Sequence, residues 1–300
     1  MIPLRIVDLC KTYSRVPVLD GLNVEVPESS IFGLIGPNGA GKTTTIKILM
    51  NILKSTSGSA QVLGIDSRQL GPASLVQIGY VSENQDLPDW MTVDALLAYL
   101  KPFYRAWDDA RAIELLRQFE LPLQRKLRHL SRGMWMKAAL TSALAYRPQL
   151  LVLDEPFSGL DPLVREDLIQ GVLESAGETT IFISSHDLAE IETFASHIGY
   201  LDRGHLQFSE EMSSLTSRFR EIEVTVGKPT MLPAGQDWPA HWLRPEAMPA
   251  VVRFVETRFD AERTPSEIRC LFEDVRDITV NPMPLRSIFV AIARSASKAA

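Results

Sequence analysis

Residues 36–43 read Gly-Pro-Asn-Gly-Ala-Gly-Lys-Thr, between the apolar run IFGLI at 31 and a helical stretch beginning near Lys42. No other feature constrains the chain so strongly. Glycines let successive backbone N–H groups turn inward around phosphate oxygens, and the positive end of the following helix reinforces them. A lysine at position 42 reaches the β- and γ-phosphates of a nucleotide, and the Thr43 hydroxyl is a natural ligand for Mg2+. Gly36, Pro37, Asn38, Gly39, Ala40, Gly41, Lys42, Thr43 and Thr44 are therefore the expected nucleotide contacts. A strand-loop-helix unit of this kind belongs in an α/β fold. The rest of residues 1 to about 208 agrees, because short aliphatic runs (LLVLDE at 150, TTIFISS at 179) alternate with helical stretches.

The segment LLVLDEP sets Asp154 and Glu155 at the carboxyl end of a buried strand, the edge where open α/β sheets hold ligands. One acid can hold Mg2+, through Thr43 or a water, and the next can polarise an attacking water. Between the glycine-rich loop and these acids, residues 90–146 carry no convincing strand. MTVDALLAYLKPFY, DDARAIELLRQFE and SRGMWMKAALTSALAY read as successive helices, which predicts a helical subdomain over about 86–146.

Further short motifs surround these two. Tyr13 lies in KTYS, Leu130-Ser131-Arg132-Gly133-Met134 opens the last of those helices, Ser158-Gly159-Leu160-Asp161 follows the acids, and His186 follows TTIFISS. In this order the motifs resemble the ATP-binding-cassette (ABC) family over residues 1 to about 215. The resemblance implies a P-loop NTPase cassette with a helical subdomain that hydrolyses ATP with Mg2+. It places Tyr13 on the adenine, gives Glu155 and His186 the catalytic roles, and puts His186 at the γ-phosphate. It also implies that two cassettes associate head to tail, so that Ser131, Gly133 and Asp161 of one contact ATP held by the other. A serine at a helix start can offer its hydroxyl and free N–H groups to a phosphate, and Gly133 permits close approach.

Two motifs depart from the family pattern. A glutamine usually follows the strand that reads IGYV here, and the aligned residue is Glu83, with Gln85 two residues on. A carboxylate is a competent hard ligand, so Glu83 joins Thr43 and Asp154 as the favoured metal set, with Gln85 the alternative. The family's LSGGQ is LSRGM in this chain. Arg132 either adds positive charge near the shared phosphate or points into solvent, and Met134 removes an amide.

Composition narrows the partners. A net charge of −6 argues against nucleic acid. No run of 18 apolar residues is present, and the N-terminal stretch meets Asp8 too early for a signal peptide. Two distant cysteines, Cys10 and Cys270, suit a reduced compartment. The resemblance then implies the motor of a transporter, peripheral on the cytoplasmic face of the membrane. Its partners would be separate transmembrane permease subunits and a second ATPase subunit, identical or related. Trp90, Met91, Phe103, Tyr104 and Trp107, within residues 84–107, are candidate anchors for the membrane partner. Residues 216–300 read as a small C-terminal α+β accessory domain with a proline-rich irregular stretch over Lys228–Pro249. Its ending, PMPLRSIFVAIARSA, resembles the tail of cassettes serving bacterial drug, antibiotic or polysaccharide exporters. The competing class is a soluble ABC-type ATPase not coupled to transport.

Overall fold

A computed structural model describes residues 2–83, 85–176, 178–227 and 238–296. The chain divides into two compact units, Met1–Ser209 and Glu210–Ala300.

In chain order, the strands of the first unit are β1 (Leu4–Tyr13), β2 (Val16–Val26), β3 (Ile31–Ile35), β4 (Ser57–Val62), β5 (Ile65–Asp66), β6 (Ile78–Ser82), β7 (Leu150–Asp154), β8 (Thr180–Ser185) and β9 (His197–Asp202). β10 (His205–Glu211) follows, its last two residues falling in the second unit. The helices are α1 (Lys42–Leu49), α2 (Pro72–Leu75), α3 (Val93–Leu100), α4 (Asp109–Gln118), α5 (Arg132–Leu144), α6 (Pro162–Leu173) and α7 (Leu188–Glu192). Six strands form the central sheet in the order β10-β9-β3-β8-β7-β6. β3 pairs in parallel with β8 and β9, and β7 with β6 and β8. Every residue of β3, β7 and β8 is buried, as expected of parallel strands covered on both faces.

Register places the chemistry. Ser82 lies beside Asp154, and Asp154 beside Ser184, so three polar side chains share one row at the carboxyl edge of the sheet. An antiparallel sheet, β2-β1-β4-β5, was not resolved from the α/β alternation. Leu4, Ile6, Val24 and Val62 from this sheet share a core with Ile46 and Leu49 of α1 and with Phe32, Val152 and Phe182 of the central sheet. That packing fixes α1, and with it the loop that precedes it.

The predicted helical stretch is α3, α4 and α5. Their starts are capped by Thr92, Asp108 and Ser131, each accepting a hydrogen bond from a backbone N–H of the first turn. α5 is buried over Met136–Leu144, so most of its length packs inside the chain.

The second unit holds β11 (Arg220–Val226), β12 (Trp242–Met248), β13 (Val251–Glu256) and β14 (Val275–Pro282), in the antiparallel order β12-β13-β11-β14. α8 (Met212–Arg218), α9 (Arg263–Leu271) and α10 (Leu285–Ala296) complete it. Trp242 stacks on Phe254 at 3.9 Å between ring centres in a core with Ile222, Val224 and Ile268. β12 corrects part of the expectation for 228–249, since residues 242–248 form a regular strand; residues 228–237 lie outside the described residues. A proline is tolerated there because β12 is an edge strand and Pro245 falls in a register shift between Leu243 and Glu246.

Candidate active site

The glycine-rich loop leaves β3 and enters α1 through backbone that only glycine accommodates. Gly41 has φ of 112°, and a Cβ on Gly36 would lie 2.0 Å from the Leu201 carbonyl oxygen. Pro37, Asn38 and Gly39 form an exposed rim, while Ala40 and Gly41 are buried beneath it. Lys42 begins α1 with its side chain curled back under the loop. Its ammonium donates to the carbonyls of Gly36 (2.7 Å) and Pro37 (3.2 Å) and faces Glu155 Oε1 at 3.1 Å. Thr43 is exposed beside it, and its hydroxyl donates to Asp154 Oδ1 at 3.0 Å. Thr44 is partly exposed on the next position.

Asp154 ends β7. Its Oδ1 also accepts from the Ser184 hydroxyl at 2.7 Å. Burial pushes the Asp154 carboxyl above the ordinary aspartate range; the two hydroxyls pull it back, and the neighbouring Glu155 charge raises it further. Glu155 then turns out of the strand with φ of 51°, an uncommon value for a residue with a side chain. Its N–H donates to Ser184 Oγ at 3.0 Å. Its Oε2 lies 2.7 Å from His186 Nδ1 and accepts from the His186 N–H at 3.3 Å. Glu155 is thus held between Lys42 and His186, so the two residues expected to be catalytic lie side by side. Ser184 was missed. Its only signal is the first serine of ISSH, and its role follows from cross-strand register.

A divalent cation fits this chemistry. Thr43 and Asp154 converge as hard oxygen donors of the kind Mg2+ takes. Glu83 is tethered to the same strand end, its N–H donating to the Asp154 carbonyl at 3.1 Å. Its carboxylate, however, is engaged by Arg132. Gln85 folds back to accept from the Ser82 N–H at 3.4 Å.

Ser131, Gly133 and Asp161 form a second group at the starts of α5 and α6. The Ser131 hydroxyl caps α5 through the Met134 N–H (3.2 Å), and Asp161 caps α6 through the Val164 N–H (3.1 Å). Gly133 is buried, and a Cβ there would meet Val164 Cγ1 at 2.6 Å. α5 resting on α6 thus leaves little room for a side chain at 133. Arg132 is exposed, with its guanidinium paired with Glu83 and laid against Gly159. Tyr13 is exposed at the end of β1, with the Lys11 ammonium 4.7 Å from its ring centre.

Residues 19–158 match the family model for ABC transporters. The ABC transporter ATP-binding protein YtrB of Bacillus subtilis is 31% identical over 226 residues, covering 75% of this chain and 76% of that protein. This chain belongs to the ABC transporter ATP-binding family. The Nod factor export ATP-binding protein I of Cupriavidus metallidurans is 33% identical over 201 residues, spanning 65% of this chain and 66% of its own. Among solved folds, the ADP- and phosphate-bound dimer of the cassette MJ0796 superposes with a TM-score of 0.62 at 25% identity, covering 70% of this chain and 98% of that one. The chain is thus an ATP-binding, ATP-hydrolysing cassette of an ABC transporter, and such cassettes act as dimers with transmembrane subunits.

The cassette's expected docking anchors divide into two kinds. Trp90 and Phe103 are 63% and 59% exposed. Tyr104 instead stacks on Tyr146 at 3.8 Å, and the Tyr146 hydroxyl is tied to the Ile78 carbonyl. Trp107 donates to Asp109, and Met91 is half-buried. A groove of about 330 Å3 opens here, lined by Ile52, Tyr80, Gln85, Leu87 and Tyr104. Asn84, at the start of the segment, lies outside the described residues. No helix among the described residues is long and apolar enough to cross a membrane.

Proposed function

We propose that this cassette powers export as one half of a head-to-tail ATP sandwich, docked at the cytoplasmic face of the membrane on separate permease subunits. The observation carrying the reading is the Lys42–Glu155–His186 chain of contacts at the sheet edge. Glu155 is the base: its carboxylate takes a proton from the attacking water, with His186 beside it contacting the γ-phosphate. Lys42 and residues 36–44 of the loop, through their backbone N–H groups except at Pro37, bind the triphosphate, and Tyr13 takes the adenine. Thr43, Asp154 and Glu83 hold Mg2+, which supplies charge neutralisation between the phosphates when bound. Each subunit has one such loop and one Ser131–Gly133 helix start, so two copies complete two sites, with Asp161 at their contact. Kinship with an export cassette supports the direction, and the exposed Trp90 and Phe103 support a docked partner. Residues 1–215 form the motor in this reading, and residues 216–300 an accessory domain for sensing or dimer support.

The test is a dilution series of phosphate release per subunit. Turnover per subunit should fall as the chain is diluted through its dimerisation range. A constant rate far below that range would overturn the two-subunit site.

A further inference from the structure

Arg132 is the first residue of α5, and its guanidinium Nη2 donates to Glu83 Oε1. The same guanidinium lies across the turn between β7 and α6. Its Nη1 and Cζ stand 3.2 and 3.3 Å from where a Cβ on Gly159 would sit. One side chain therefore gathers the segment after β6, the start of α5 and the turn before α6. Two of the positions at which this sequence leaves its family's pattern, 83 and 132, are each other's ionic partner. A glutamine at 83 would offer Arg132 no charge, and a glycine at 132 would offer Glu83 no side chain.

Glu83 is held at its backbone by the Asp154 carbonyl, so only its side chain is free to choose between cations. Its neighbours on that strand end, Thr43 and Asp154, present the oxygen donors for a divalent ion. We infer that Arg132 is a positioning residue for Glu83, and that Arg132 and Mg2+ compete for the same carboxylate. This rests on the reading of Glu83 as a Mg2+ ligand. Metal loading is then linked to the seating of α5, because Glu83 joins Thr43 and Asp154 only when its pair with Arg132 opens. The pair is half-exposed, with side-chain exposures of 49% for Arg132 and 30% for Glu83, which limits its strength.

The experiment titrates Mg2+ against the full chain with a non-hydrolysable ATP analogue, comparing wild type, Arg132→Ala, Glu83→Gln, the double substitution and Arg132→Lys. An ion pair of this exposure should shift the Mg2+ midpoint by about two- to fivefold. Arg132→Ala should lower the midpoint by that factor when Glu83 is present and leave it unchanged alongside Glu83→Gln. Arg132→Lys, which keeps the charge, should stay near wild type. Equal shifts in both backgrounds would overturn the inference, as would no shift in either. Failure of the unaltered chain to bind the analogue with Mg2+ would strike at the reading of the ATP site instead. In that event, melting of the four alanine- and glutamine-cycle proteins without nucleotide decides the pairing alone: non-additive midpoints are expected, and additive ones overturn it.

Discussion

Lys42 and Glu155 meet as an ion pair largely shut off from water, Nζ to Oε1 at 3.1 Å with side-chain exposures of 5% and 13%. A triphosphate and the Glu155 carboxylate compete for that one ammonium. Nucleotide that draws Lys42 away would leave Glu155 with His186 as its partner. Glu155→Gln keeps the shape and removes the charge. Phosphate release should fall by about 100-fold or more, while ATP affinity is kept or strengthened because Lys42 is no longer held. Size-exclusion chromatography with ATP should show an accumulated dimer. Near-normal phosphate release in this variant would remove Glu155 from the role of base.

Asp154 gives a prediction with a sign in pH. Burial raises its carboxyl above the ordinary aspartate range, so the folded chain binds that proton more tightly than the unfolded chain does. Such a group adds stability when protonated and loses it as pH rises through the folded value. Near neutrality the ionised carboxylate is therefore a cost to the fold, kept for its chemistry. Asp154→Asn should melt higher than wild type near neutral pH without nucleotide or metal. The gain should shrink as pH is lowered and the wild-type carboxyl regains its proton. Mg2+-supported ATP binding should weaken in the same protein. A lower melting point for the variant at neutral pH would show that the Thr43 and Ser184 hydrogen bonds outweigh burial.

The legible parts of this cassette are those whose demands are local. The loop at 36–43 announces itself because left-handed backbone at Gly41 and close approach at Gly36 each require glycine in a short window. The starts of α5 and α6 were readable because Ser131 and Asp161 cap within three residues. Ser184 was not, since its contact with Asp154 depends on strand register across 30 positions. Arg132 and Glu83 are 49 residues apart and meet only because α5 is packed against α6 beside β6. β12 was hidden for another reason. Prolines argue against a strand unless its place at the sheet edge is known, and sequence does not show which strand is outermost.

Trp90 tests the docking surface. With 63% of its surface exposed, it contributes little to the fold, and surface substitutions of this kind usually change stability by no more than about 0.5 kcal/mol. An aromatic anchor at a protein interface carries about 2 kcal/mol or more, and its loss lowers affinity roughly thirtyfold. Trp90→Ala should therefore leave the melting point and unstimulated ATP turnover near wild type while sharply reducing recovery with the permease subunits. Tyr104→Ala is the contrasting case. It removes the stack on Tyr146 and should lower the melting point. Unchanged recovery of Trp90→Ala with the membrane subunits would move the docking surface elsewhere.

Gly133 separates packing from a contact across the dimer. Alanine in a helix gains about 0.8–1 kcal/mol over glycine, yet the new Cβ would meet Val164 Cγ1 at 2.6 Å and Cγ2 at 3.2 Å. Overpacking of this kind costs about 1–3 kcal/mol, so Gly133→Ala should destabilise the cassette by about 1 kcal/mol net. Trimming the neighbour with Val164→Ala opens the space, and the double variant should recover most of the melting temperature relative to Val164→Ala alone. Because the added methyl points at α6, the double variant should also keep ATP-driven dimerisation and turnover within about twofold of Val164→Ala, a margin of about 0.4 kcal/mol. A double variant that melts normally but no longer dimerises with ATP would show that the partner's nucleotide, and not Val164, is what demands glycine at 133.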